Sequence, residues 1–253
     1  MQVGNRNYRG LLKFGIKEHM EALYEEGLLY LNTFTYFKEL EYNGDGRADI
    51  YEGVTEYYSG EGFDNLNLTI SFGEEEHILS RANGTLGVAF TDRPPEFSHL
   101  YSMTSIDVNW ALKQDKLIDE RNFAKNKDYV VIVYDTVKFL DKLTNYLVTN
   151  GYTSKRGFIE YIDENSYSGE IGCFRKFSSY SHQNEWRLAL KCHNILDPIK
   201  ITLGSLEGIA IPPKDKKDFY DMKIRIGNRE LSNKSLYTKV TTWVFVSNKF
   251  FFA

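Results

Sequence analysis

The residues best placed to do chemistry are Gln183-Asn184-Glu185-Trp186-Arg187, immediately before the apolar run Leu188-Ala189-Leu190. A carboxylate that opens a strand, with an amide two residues earlier, is a natural catalytic placement. Period-2 alternation predicts Gln183 and Glu185 on one strand face. Such a triplet is common, so the competing reading is a solvated strand edge on which Arg187 pairs Glu185 or Glu170.

A second set runs from Glu41 to Glu52. Set against a calcium loop, it offers oxygen ligands at Glu41, Asn43, Asp45, Asp49 and Glu52, with Gly46 at the turn. It departs from the pattern where Glu41 replaces a shorter Asp and Ala48 replaces a β-branched residue, so calcium here is a minor alternative to a turn-rich surface loop. Arg47, Asp49 and Glu52 could equally fix that loop over a ligand. Asp49 and Glu52 together with Glu185 would also suit a metal-dependent nuclease. Cys173, His182, Cys192 and His193 match no zinc spacing, and no metal is expected. Nucleophile-elbow, Walker, dinucleotide-fold and His-Glu-x-x-His motifs are missing from the sequence, which leaves hydrolase, P-loop, Rossmann and zincin readings without an anchor.

The elements that must hold these residues are most legible at the start. Leu11 to Phe14 reads as a strand, Lys17 to Glu26 as a helix stopped by Gly27, and Leu28 to Asn32 as a second strand. Thr33 to Leu40 reads as a short helix capped from Asn32 or Thr33. Glu41 to Gly62 is polar and Gly-rich, the mark of a long loop. Further strands are predicted at Leu66 to Phe72, Thr85 to Thr91, Leu100 to Ser105, Tyr129 to Tyr134, Glu185 to Lys191, Ile199 to Leu203, Gly208 to Ile211 and Lys239 to Val246. Thr136 to Thr149 and Lys155 to Glu164 both read as helical, in whole or in part. The sum is a mixed α+β chain richer in strand than in helix.

Composition narrows the class. The chain has 253 residues, 42% apolar, 15% aromatic and 26% charged, enough for one domain over residues 1–253 with a sizeable core and against intrinsic disorder. Only two cysteines are present, which fits a reducing compartment. No apolar run approaches the roughly 20 residues of a membrane helix, so a cytoplasmic chain without membrane partners is expected. Residues 1–120 carry 10 Lys/Arg against 21 Asp/Glu (−11), and residues 121–253 carry 21 against 14 (+7). The basic half suits an anionic partner or the acidic half itself. Lys214, Lys216, Lys217, Lys223, Arg225 and Arg229 could track a phosphate backbone, although Asp215, Asp218 and Asp221 interrupt them. Tyr30, Phe34, Tyr36 and Phe37 could stack a base, or fill the core.

Several blocks in order carry a resemblance: Leu12 to Gly15, Glu18 to Leu23, Glu26 to Asn32, Tyr36 to Glu41, Arg47 to Gly53, Phe174 to Lys176, Gln183 to Arg187 and Leu203 to Ile209. They cover about a third of the chain. Together they resemble a bacterial, often defence-associated family, and their arrangement looks like the ADP-ribosyltransferase fold of toxins that modify DNA or RNA. The resemblance implies an ADP-ribosyltransferase-like split antiparallel β-sandwich with flanking helices and long loops, and NAD as co-substrate. Glu185 would correspond to the catalytic glutamate and Gln183 to the residue that positions the nucleophile. Lys13 or Arg9 on the first strand, Tyr36, and Ser102 within Tyr101 to Ser105 would contact NAD. It further implies transfer of ADP-ribose to a macromolecule, nucleic acid (RNA or DNA) first, in antiviral defence or a toxin–antitoxin pair, with an antitoxin or chaperone as a possible partner. A non-enzymatic module binding a nucleotide, RNA or protein is the alternative.

Overall fold

Alternating apolar residues build a sheet that two amphipathic helices cover on one face, and the sheet sets the positions of Lys13, Ser102 and Glu185. The structure is a computed structural model and describes residues 8–34, 36–37, 51, 53–59, 68–72, 75–79, 88–90, 96–114, 117–123, 127–192, 197–226, 229–232 and 242–243. In chain order it contains β1 (Tyr8–Gly15), α1 (Lys17–Glu26), β2 (Leu28–Thr33), β3 (Glu56–Tyr58), β4 (Leu68–Phe72), β5 (Glu75–Leu79), β6 (Val88–Phe90), β7 (His99–Asp107), α2 (Val108–Gln114) and β8 (Tyr129–Val133). There follow α3 (Thr136–Thr149), β9 (Thr153–Phe158), β10 (Glu160–Ile162), β11 (Ser168–Glu170), β12 (Arg175–Phe177), β13 (Glu185–Lys191), β14 (Ile199–Thr202), β15 (Ala210–Asp215), α4 (Lys216–Asp221), β16 (Met222–Ile226), β17 (Arg229–Ser232) and β18 (Thr242–Trp243). The chain is therefore mixed α+β.

The main sheet is antiparallel and open, in the order β14-β2-β7-β1-β8-β15, with β13 and then β9 added along the other edge of β7. It forks. β1 pairs with β7 as far as Leu12 opposite Thr104, whereas β2 pairs with the same edge at Asn32 opposite Leu100. Ser102 stands in the gap between the two. Opposite that gap, β13 runs without interruption from Leu190 against His99 to Glu185 against Thr104.

Helical spacing explains the covered face. Phe139, Leu143 and Leu147 of α3 fall four residues apart, and with Met20 and Leu23 of α1 they pack on Leu11, Tyr101, Met103, Val131, Val133, Trp186, Leu188 and Leu190. Each fully buried aliphatic or aromatic side chain of this kind contributes about 1.5–3 kcal/mol. Asp135 caps α3 by accepting from the Lys138 N–H. Gly27 ends α1 with φ 64°, its N–H returned to the Ala22 carbonyl. The opposite face packs Leu12, Phe14, Val130 and Ile132 against Ala111, Phe123 and Phe219. A smaller layer, in which β10 and β12 pair in parallel, packs around Val54, Tyr57, Ile162 and Phe177.

Two expectations are corrected. Lys155 to Glu164 is not helical but forms β9 and β10. Its polar pattern arises because β9 is an edge strand that pairs with β13 and exposes Thr153 to Arg156. The long loop predicted over Glu41 to Gly62 contains β3, whose three residues join β11 and β6. The expected short helix after β2 is helical at Phe34, Tyr36 and Phe37 and is capped by Thr33, whose hydroxyl accepts the Tyr36 N–H at 3.2 Å.

Candidate functional site

Glu185 owes its position to the residue before it. Asn184 adopts a left-handed conformation, φ 43°, which asparagine tolerates better than most residues. Its carbonyl accepts from both the N–H and the hydroxyl of Ser105, and its side-chain amide donates to the Ser105 carbonyl, all at 2.8 Å. This clamp delivers the chain into β13 with Glu185 opposite Thr104. The Glu185 N–H then donates to the Tyr161 hydroxyl at 2.9 Å, and its carbonyl accepts from the Ile159 N–H at 2.9 Å.

The Glu185 carboxylate is buried and held from three sides. Lys176 Nζ on β12 lies 2.9 Å from Oε2, and Arg187 Nε, two residues along the same strand, lies 2.8 Å from Oε1. The Ser102 hydroxyl adds a third hydrogen bond. Lys176 also donates to Gln183 Oε1 at 2.9 Å, and Arg187 donates to the Cys173 carbonyl at 2.7 Å. Burial alone would push the Glu185 carboxyl up. The Arg187 and Lys176 charges and the Ser102 hydroxyl outweigh it and hold the group well below the usual carboxylate range. This favours the Glu185 anion at neutral pH.

The sequence placed Gln183 and Glu185 together for the wrong reason. Gln183 ends a 3-10 turn, Ser178–Gln183, and the left-handed Asn184 breaks the strand periodicity between them. What brings the two side chains together is Lys176, which bonds both. The solvated-edge reading is also overturned: Arg187 does pair with Glu185, but both side chains are buried, and β9 covers the edge of β13.

Lys13 and Ser102 meet at the fork. Lys13 Nζ donates to the Ser102 carbonyl at 2.7 Å and lies 4.1 Å from the centre of the Tyr101 ring. The Tyr101 hydroxyl is buried with no partner among the described residues, and burial raises its pKa well above the ordinary value. Tyr36 is exposed, edge-on to Phe37 at 5.6 Å, and joins none of these bonds. Phe34 is core against Leu100 and Ala189, while Tyr30 is exposed beneath Lys200. Arg9 lies in β1 by its backbone, with its side chain outside the described residues. Arg47, Asp49 and Glu52, and with them the calcium-like segment except Tyr51, lie outside the described residues.

Beside the start of β13 opens a cleft of about 250 Å³, lined among others by Thr104, Ser105, Asp119, Arg121, Tyr161, His182 and Asn184. Two turns form its wall, Glu120–Asn122 and Ser178–Gln183, and buried Asn122 ties them together. Its amide donates to the His182 carbonyl at 2.9 Å and the Asp119 carbonyl at 3.1 Å, while Thr104 Oγ1 donates to its Oδ1 at 3.2 Å. Asp119 accepts from Arg121 Nε at 2.9 Å and a terminal guanidinium nitrogen at 2.8 Å, and this bidentate contact lowers its carboxyl to about 2. Thr104, the strand neighbour of Glu185, and Tyr161, whose hydroxyl accepts the Glu185 N–H, both line this cleft, which places it beside the Glu185 main chain.

Sequence reasoning missed Lys176, Arg121, Asn122 and Tyr161. Asn184 before a strand was the signal that could have found the clamp. Nothing local in the sequence marks Lys176, which reaches Glu185 across layers. Comparison of the chain with family models, with curated proteins and with solved structures gives no match. Among the described residues no helix is long and apolar enough to cross a membrane, and no three His, Cys, Asp or Glu side chains converge as a metal site.

Proposed function

We propose that the protein is an NAD-dependent ADP-ribosyltransferase centred on Glu185. One observation carries the reading: the adjacent strands β1, β7 and β13 bring Lys13, Ser102 and Glu185 into one hydrogen-bonded series at a fork in an antiparallel sheet. That order of an early basic residue, a middle serine and a late glutamate is the one the sequence resemblance implies, and a split sheet is its implied scaffold.

In this reading NAD enters the polar cleft. The bond between the nicotinamide nitrogen and ribose C1′ breaks, its electron pair leaves with nicotinamide, and the acceptor's nucleophilic atom bonds to C1′. An ionised glutamate stabilises the positive charge that develops on the ribose; fixed charges of this kind are the largest contribution in such reactions. The Ser102 hydroxyl orients the carboxylate, and Gln183, tethered by Lys176, faces the acceptor side. The acceptor class (RNA or DNA before protein) and a defence or toxin–antitoxin setting come from the resemblance alone.

A second reading has its own support. Glu185 is buried and spends both oxygens on Lys176 and Arg187, as a structural ion network does. On that basis the cleft would belong to a non-enzymatic module that binds a nucleotide, an RNA or a partner protein. A nuclease reading has less support, because a carboxylate held by two protein cations is a poor ligand for a third.

The test is incubation of the purified protein with NAD labelled in its adenylate phosphate and a cell lysate, fractionated into RNA, DNA and protein. Label in one fraction, lost with Ser102→Ala, supports the transferase and names the acceptor. Tight NAD or RNA binding with no label in any fraction supports the binding module.

A further inference from the structure

The transfer reaction leaves one proton to be placed, and the cleft holds a group suited to receive it. His182 lines the cleft, half-buried, three residues before Glu185. Its Nδ1 lies 3.1 Å from the Ser179 carbonyl oxygen, which can only accept, so Nδ1 carries the hydrogen. In the neutral ring Nε2 is then the acceptor, and it has no hydrogen-bond partner among the described residues. The ring is held on both sides of its own residue, by the Ser179 carbonyl on the imidazole and by Asn122 on the main-chain carbonyl.

We propose that the cleft receives a hydroxyl acceptor and that His182 Nε2 takes its proton. This inference rests on the transferase reading. As the hydroxyl oxygen bonds to ribose C1′ and the nicotinamide nitrogen departs with its electron pair, the hydroxyl proton passes to Nε2 and leaves later to solvent. A hydroxyl is the class that needs such help. A phosphate or carboxylate acceptor is already ionised and needs no base, whereas a hydroxyl acquires acidity only as its new bond forms. Water is the smallest member of the class, and a sugar hydroxyl of a nucleic acid is a larger one.

The charged groups that face the ring are Asp119 and Arg121 on one wall and Lys176 from β12. Partial burial lowers the His182 pKa below 6.5, the Arg121 and Lys176 charges act in the same direction, and the Ser179 carbonyl and Asp119 oppose them. The free base therefore predominates at neutral pH.

The experiment is nicotinamide release from NAD with water as acceptor, followed from pH 5 to pH 8.5 for wild type, His182→Gln and His182→Gly. The inference predicts that wild-type kcat rises with pH through a midpoint below 6.5 and then levels. His182→Gln should lower kcat about 10²-fold or more, leave KM for NAD within about twofold and abolish the acid limb. Added imidazole should restore His182→Gly in its free-base form, a rescue that a merely structural histidine would not give. The Asn122 bond goes to main chain, so both variants keep the turn, and unchanged thermal midpoints check this. An unaltered rate and acid limb in His182→Gln overturn the role of His182 while the transferase reading stands. No nicotinamide from wild type at any pH, with water or with added cell RNA and DNA as acceptor, overturns both.

Discussion

Ser102 joins Lys13 to Glu185 through its two oxygens: its carbonyl accepts the Lys13 ammonium at 2.7 Å, and its hydroxyl donates to the Glu185 carboxylate. The main-chain oxygen is available to Lys13 because β1 and β2 part company at this residue. A small residue at the fork thus fixes a cation from one strand and an anion from another.

Ser102→Ala separates those two roles, since the carbonyl survives and the hydroxyl does not. It should cost about 1 kcal/mol of stability, the worth of one net hydrogen bond, and reduce nicotinamide release well beyond what lost stability explains. Denaturant unfolding beside the release assay checks this, and an activity that follows stability alone would argue against a functional hydroxyl.

Removing the Glu185 charge should be far more damaging. Glu185→Gln leaves Lys176 and Arg187 buried without their counter-charge, and breaking a buried pair in this way costs about 3–5 kcal/mol. Lys176→Met in the Glu185→Gln background should recover part of the loss. A double-mutant cycle by urea unfolding would read the coupling, and additive effects would show that the two side chains do not interact.

Stability should fall in acid. The Glu185 carboxyl is lowered by folding, so the unfolded chain takes up its proton first as pH drops. The contribution is complete above the ordinary carboxylate pKa near 4.5 and is progressively lost below it. Asp119, lowered to about 2 by Arg121, adds to the same window in smaller measure because its partner Arg121 is exposed to solvent. Urea midpoints measured from pH 7 to pH 3 should decline below about pH 4.5 in wild type, with a weaker decline in Glu185→Gln. A flat wild-type profile would contradict the buried anion.

Gly27→Ala tests the frame rather than the site. Its backbone lies at φ 64°, and an added Cβ would meet the Gly204 carbonyl and lie 2.9 Å from Leu203 Cβ. Left-handed strain of about 1 kcal/mol is then compounded by a backbone clash, and the thermal midpoint should drop by several degrees. A neutral effect would mean that the turn between α1 and β2 is not built as described.

The contrast between what the sequence showed and what it hid has physical causes. α1 and β13 could be read residue for residue, with Gly27 marking the end of α1 locally, and α3 was legible as helical in whole or in part. β9 could not, because an edge strand with Thr153, Ser154, Lys155 and Arg156 facing solvent lacks apolar alternation. Strands of three residues such as β10, β11 and β12 carry too little pattern to read. At the site, Glu185 and Ser102 were identifiable by residue type and order. Lys176 was not, since its partner is chosen by packing between layers.

The most direct measurement is chromatographic assay of nicotinamide released from NAD by wild type and by Glu185→Asp, which keeps the charge between Lys176 and Arg187 but withdraws the carboxylate by one methylene. A displacement of about 1 Å costs catalysis about 10²-fold. The account predicts release by wild type and a loss of that order in a folded Glu185→Asp protein. With cell RNA and DNA present as acceptors, equal release by both, or none by a folded wild type, would contradict a catalytic Glu185.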